Sequence, residues 1–186
     1  MRLLRDESEA SILVGVHHHG VTVSDLDRSI RFYHDVLGLE FFTEPSPVFG
    51  GPELARGAGV PGASLRTVCL LAGDDVVELI EYVTPPAPND APHPQNALGA
   101  QHVALRVTDI NAAVERLTAA GVRFFSAPNA VDEGVLAGWR WVYFADPDGI
   151  SVELVEVAYE RPAEERQRAI ADYLATRADG SAVVRQ

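Results

Sequence analysis

The fold is decided by the stretch His18-His19-Gly20-Val21-Thr22-Val23-Ser24-Asp25-Leu26, because it returns in altered form as His102-Val103-Ala104-Leu105-Arg106-Val107-Thr108-Asp109-Ile110. In both copies a valine follows the histidine five residues later, and a Ser/Thr-Asp pair comes next. Self-similarity at a long period constrains a fold more strongly than local propensity does. The repeat therefore predicts two related modules in one chain.

Each copy predicts a β-strand followed by an α-helix. An apolar β-type run leads to Ser24-Asp25 or Thr108-Asp109, whose side-chain oxygens can accept hydrogen bonds from the free amides at a helix start. Each predicted helix has one apolar face and ends at a glycine, Gly38 in the first copy and Gly121 in the second.

A second pair of matching segments predicts the closing hairpin strand of each module. These segments are Val76-Val77-Glu78-Leu79-Ile80-Glu81 and Ser151-Val152-Glu153-Leu154-Val155-Glu156, and each follows a turn signal. The predicted organisation is an N-terminal extension over 1–13, a first module over 14–84, a proline-rich linker over 85–98, a second module over 99–157 and a helical C-terminal extension over 158–186.

Composition narrows the class of function. The 47% hydrophobic content is enough for a core, and the single Cys69 excludes an intramolecular disulfide. A net charge of −12 disfavours nucleic acids and anionic membranes as partners, and every basic residue is arginine, which excludes lysine Schiff-base chemistry. Because no signal or membrane segment is recognisable, we expect a cytoplasmic protein that binds a small molecule.

Four residues at matching points of the repeat predict a metal site. His18 and His102 open the two copies of the repeat, and Glu78 and Glu153 each lie between apolar neighbours in the closing strands. If the modules pair about a pseudo-twofold axis, these side chains converge into an N2O2 site with room for substrate. Such a set suits one divalent Zn, Ni, Co, Mn or Fe ion. The alternative is a sheet face lined by solvated charges.

The sequence resembles the vicinal oxygen chelate superfamily, which includes glyoxalase I, epimerases, bleomycin-resistance proteins and extradiol dioxygenases. The resemblance covers residues 14–157 and rests on the first copy with Phe32-Tyr33 and Leu37-Gly38-Leu39, and on the second copy through Asp146-Pro147-Asp148-Gly149 and Val152-Glu153-Leu154. It implies an α+β fold of two βαβββ modules that form a cupped, partly open β-sheet barrel around the metal. It also implies that His18, Glu78, His102 and Glu153 are the ligands, and that the chain forms a homodimer.

The ligand set resembles the glyoxalase I and epimerase branch. There, a carboxylate takes a proton next to a chelated carbonyl, which implies Glu153 as the base, with Glu78 second, in a metal-dependent lyase or isomerase. One alternative is an Fe(II)-dependent dioxygenase acting on a catechol-like substrate, although Glu78 stands where such an enzyme is expected to carry its second histidine. Another is a non-catalytic small-molecule-binding (resistance) protein on the same fold.

Five further residues are candidates for substrate binding. Counted back from the two glutamates, Arg66 matches Trp141, and alternation places Trp139 and Tyr143 on the same face as Trp141. Aromatic walls with one cation suit a planar substrate that carries a carboxylate or phenolate. The Gly-rich loop around Phe49 is a candidate lid, or else a plain surface connection. Ordinary core packing is the alternative for each tryptophan.

Overall fold

The computed structural model describes residues 15–88, 94–160 and 162–178. The predicted N-terminal extension, residues 1–13, lies outside these ranges. The chain divides into two units, of which one is Val16–Ala158 and the other contains a helix, α4, over Ala163–Ala178. Across these ranges no helix has both the length and the apolar character needed to cross a membrane.

The first module contains one sheet and two helical segments. Its elements are β1 (His19–Val23), α1 (Leu26–Ile30, continued by a π-helical stretch over Arg31–Val36), β2 (Glu40–Phe41), β3 (Phe49–Gly50), α2 (Pro52–Ala58), β4 (Ser64–Ala72) and β5 (Asp75–Thr84). The strand order is β1-β5-β4-β2, and β3 also pairs with β4. The parallel pairing of β1 with β5 places the opening strand beside the closing strand.

The second module repeats this plan. Its elements are β6 (Val103–Arg106), α3 (Ile110–Ala119), β7 (Asn129–Ala130), β8 (Trp139–Ala145) and β9 (Ser151–Val157), and the strand order is β6-β9-β8-β7. Each sheet is open. The predicted α+β class, with two repeated strand-helix-sheet modules and no closed barrel, is confirmed.

The predicted helix starts are also present. The Asp25 carboxylate accepts a hydrogen bond from the amide of Arg28 at 2.8 Å, and the Asp109 carboxylate accepts from the amide of Asn111 at 2.9 Å.

The segment predicted as a Gly-rich loop contains one short helix, α2. This helix begins at Pro52 and ends at its cap residue Gly59, whose φ of 69° is left-handed.

One hydrophobic core joins the two modules. Leu79 of β5 and Leu154 of β9 are buried in the same apolar cluster as the helix residues Leu26 and Ile110. Because side chains alternate across a strand, residues next to these leucines project from the other face of each sheet. Both sheets therefore turn one face toward the shared core and the other face away from it.

Polar contacts fix the turn of the second module against helix α1. The Tyr33 hydroxyl donates to the buried Asp146 carboxylate at 3.1 Å, and the Ser24 hydroxyl donates to Asp148 at 2.6 Å. Arg28 forms an ion pair with the same Asp148. Burial raises the pKa of Asp146, and amide hydrogen bonds from Ile150 and Asp148 oppose this rise. The turn recognised in the sequence therefore also connects the modules.

Tyr33→Phe is expected to lower the free energy of unfolding by about 1–3 kcal/mol, because it leaves a buried carboxylate oxygen without its donor. Chemical denaturation measures the change. The control is Tyr82→Phe, which removes a hydroxyl from a partly exposed position and should change stability by less than about 0.5 kcal/mol. Equal stability of Tyr33→Phe and the wild type would show that this contact adds nothing to the fold.

Candidate metal centre

The first His/Glu pair lies at the beginning of the first sheet. Gly20 of β1 stands opposite Glu78 of β5, and His18 precedes Gly20 by two residues and so shares its face. The His18 Nε2 atom is 3.2 Å from Glu78 Oε2, and the side chains are 40% and 21% exposed. The Thr67 hydroxyl on β4 donates to the other carboxylate oxygen, Glu78 Oε1, at 2.8 Å.

The second pair has the same geometry in the second module. His102 Nε2 is 3.0 Å from Glu153 Oε2, and the side chains are 38% and 13% exposed. Tyr143 stands opposite Glu153 on β8, and its ring contacts the His102 ring edge-on at 5.2 Å between centroids. Burial, then the negative charge of Glu153, and then a hydrogen bond to Glu153 raise the pKa of the Tyr143 phenol.

A single chain does not bring the four predicted ligands together. Within the described ranges, no three His, Cys, Asp or Glu side chains are grouped so that they could hold one ion. The reason is the shared core: Leu79 and Leu154 point into it, so the adjacent Glu78 and Glu153 project from the outer face of each sheet. Within one chain the predicted ligands thus lie as two separate His/Glu pairs, and their meeting at a single ion stays a prediction.

A cavity of about 1010 Å³ is lined by residues of both modules. Both histidines of the pairs line it, with Val77, Leu154 and Leu117 among its apolar walls. Neither Glu78 nor Glu153 is part of its lining. The cavity therefore reaches the histidine of each pair but not its carboxylate.

The predicted aromatic residues lie beside the second pair. Trp139, Trp141 and Tyr143 alternate along β8 on the face that carries Glu153, and the rings of Trp141 and Tyr143 are 5.4 Å apart. Phe49 lies on short strand β3 opposite Leu65 and is partly exposed. Substrate binding by these residues stays a prediction.

The match between Arg66 and Trp141 is wrong by one residue. Arg66 stands opposite Glu81, just as Arg140 stands opposite Glu156. The Arg66 guanidinium is 3.0 Å from Asp27 and 3.6 Å from Glu81, on the helix side of the sheet. The structure therefore places Arg66 on the face opposite Glu78, where existing carboxylates already pair with it.

The corrected register identifies two residues that the sequence reasoning missed. Thr67 matches Trp141, and Cys69 matches Tyr143, so both lie on the face of the first pair. The cause is the hairpin turn: Cys69 lies nine positions before Glu78, whereas Tyr143 lies ten before Glu153. Burial and the charge of Glu78 raise the pKa of the Cys69 thiol. The repeat shows this match only when the spacing between the glutamate and its partner on the neighbouring strand is allowed to differ by one residue between the modules.

Comparisons with known proteins agree with this architecture. A 2-epi-5-epi-valiolone epimerase from Actinomyces sp. is 34% identical over 156 residues, which cover 82% of this chain and 85% of that protein. A probable lactoylglutathione lyase from Synechocystis is 24% identical and covers 77% of this chain and 96% of that protein. The crystal structure of a glyoxalase family protein from Bacillus cereus has a TM-score of 0.65 and 26% identity, covering 78% of this chain and 95% of that chain.

The family assignment comes from the model of the Glyoxalase/Bleomycin resistance protein/Dioxygenase superfamily, which matches residues 15–154. These residues contain the first module, the second module as far as Leu154 in β9, and both His/Glu pairs. The resemblance inferred from the repeated motif is confirmed. The chain belongs to the Glyoxalase/Bleomycin resistance protein/Dioxygenase superfamily.

Proposed function

We propose that this protein is a metal-dependent isomerase or lyase that removes a proton from a carbon next to a carbonyl group of a small substrate. The observation that carries the proposal is the pair of His/Glu contacts, 3.2 Å and 3.0 Å long, at equivalent points of two modules. The superfamily membership and the relatives named as an epimerase and a lyase support an enzyme of this general type.

The donor atoms suit a divalent cation. Each pair offers one imidazole nitrogen and one carboxylate oxygen, and two pairs make an N2O2 set that leaves room for a substrate oxygen. Zn, Ni, Co, Mn and Fe all accept such a set. When bound, the ion supplies Lewis-acid polarisation of a substrate oxygen. His18, Glu78, His102 and Glu153 would hold it.

We propose that the four ligands meet between two copies of the chain. Each pair is partly exposed and projects away from the shared core, so a second copy can approach both outer faces. Strands β1 and β6, which follow the two histidines, are edge strands of their sheets. A twofold dimer would place His18 and Glu78 of one copy against His102 and Glu153 of the other, and would create two equal sites.

Glu153 is the proposed base. Its carboxylate would accept the proton as the carbon–hydrogen bond breaks, while the electron pair moves toward the neighbouring carbonyl oxygen of the substrate. His102 at 3.0 Å orients the carboxylate. Trp141 and Tyr143 beside it would bind the substrate through their rings and limit access of water. Return of the proton to the carbon skeleton completes an isomerisation.

The test is proton exchange without oxygen. Protein purified without chelator is incubated anaerobically in deuterium oxide with hydroxy-ketones, and 2-epi-5-epi-valiolone is the first of them because of the Actinomyces relative. We expect deuterium at the carbon next to the carbonyl, lost after chelator treatment and restored by metal. Turnover that requires oxygen would instead favour the dioxygenase, and tight binding of an unchanged ligand without exchange would favour a binding protein.

A further inference from the structure

The two glutamates have different neighbours on the adjacent strand. Thr67 donates its hydroxyl hydrogen bond to Glu78, but the matching position of the second module is Trp141, which has no hydroxyl group. The residue beside Glu153 is Tyr143, whose counterpart in the first module is Cys69. The two modules thus have the same types of proposed ligand but different residues beside the glutamate on the neighbouring strand.

Thr67 is held rigidly. Its amide donates to the Ser46 hydroxyl at 2.9 Å. Its hydroxyl has one hydrogen to donate, and the nearer of the two acceptors is Glu78 Oε1 at 2.8 Å, with the Leu79 carbonyl oxygen at 3.0 Å. A β-branched side chain has few χ1 rotamers available. The donor oxygen therefore has a fixed position at the centre of the sheet.

Glu78 is consequently oriented through both of its carboxylate oxygens. Oε1 accepts from Thr67, and Oε2 faces His18 at 3.2 Å. Glu153 instead accepts a hydrogen bond from the phenol of Tyr143, which stands at the end of a long side chain and is also 3.5 Å from His102 Nε2. A long side chain that contacts the histidine can follow a moving carboxylate, whereas a threonine on the neighbouring strand cannot.

We propose that Thr67 is a positioning residue that fixes Glu78 as a permanent metal ligand, so that Glu153 is the carboxylate free to change partner during the reaction. This inference rests on the proposed function, since it assumes a metal between the two pairs. Groups that orient a ligand commonly change metal affinity by about 10–100-fold when they are removed.

The test is titration of the metal-free dimer with Co(II), followed by its visible absorption and by competition with a chelator. Thr67→Val keeps the shape and removes the donor, and should weaken Co(II) binding about 10–100-fold and change the absorption spectrum. Thr67→Ser keeps the donor and should remain within about threefold of the wild type. Thr118→Val, at an exposed position of helix α3, is the control and should bind as the wild type does.

Thr67→Ala removes the same hydroxyl without adding an apolar methyl group next to Glu78, and circular dichroism confirms that each variant is folded. Wild-type affinity in either folded hydroxyl-free variant would overturn the role of Thr67 and leave the metal centre standing. If the wild type itself binds no Co(II), the metal centre and the role of Thr67 are both overturned. Weak Co(II) binding by Thr67→Ser, which keeps a hydroxyl group, would also contradict the proposal that the hydroxyl sets the metal affinity.

Discussion

Glu153→Gln is expected to lower kcat by about 10²–10⁴-fold while the protein keeps its metal. Glutamine preserves the length of the side chain and one carbonyl oxygen for coordination, but it cannot accept the proton. Glu153 is the more buried of the two glutamates, at 13% exposure, and lies 3.0 Å from His102. Anaerobic deuterium exchange measures the rate, and metal analysis of the same samples measures the occupancy.

Glu156→Gln provides the matched control. Glu156 lies on the same strand, but it faces the helix side, where it accepts from the Ile110 amide at 2.7 Å and pairs with Arg140 at 3.4 Å. Its substitution should leave kcat within about threefold of the wild type, since it contacts neither pair. A larger loss of kcat in Glu78→Gln than in Glu153→Gln would show that Glu78, and not Glu153, is the base.

His18→Ala and His102→Ala are each expected to weaken metal binding by more than about 100-fold, because removing a ligand costs more than removing a group that orients one. Turnover should fall with the metal. In the proposed dimer either substitution damages both sites, since each site contains one histidine of each kind. Metal content per chain and anaerobic exchange are the measurements.

His19→Ala is the control for both histidine variants. His19 is adjacent to His18, and strand alternation places its side chain on the opposite face of β1. The metal content and the exchange rate of the His19→Ala variant should match those of the wild type. If His19→Ala lost metal as His18→Ala did, the assignment of His18 by strand alternation would be wrong.

The sequence predicts the elements of this fold well because their signals are local. Asp25 and Asp109 begin helices because a short carboxylate can accept from free amides, and Gly38 and Gly121, with φ of 88° and 90°, end them. The repeat also predicted that each glutamate-bearing segment is the closing strand of a hairpin, and the pairings of β4 with β5 and of β8 with β9 confirm this. Both features depend on residues that are close together in the chain.

Register and packing were harder to predict because they depend on distant residues. One additional residue in the second hairpin moved the counterpart of Trp141 from Arg66 to Thr67, and a shift of one residue reverses the face of every side chain. Alternation placed Glu78 and Glu153 on particular faces, yet it did not reveal that the opposite faces share one core. That core is what separates the two His/Glu pairs within a chain.

The most direct measurement is the activity of a mixed dimer. Chains carrying His18→Ala and His102→Ala are given different tags, co-expressed and purified through both tags. One site of this dimer then contains both substitutions, and the other contains four native ligands. We expect about half the wild-type activity and metal content, although each variant alone is inactive. A mixed dimer as inactive as the two separate variants, or a fully active monomer, would contradict a metal site shared between two copies.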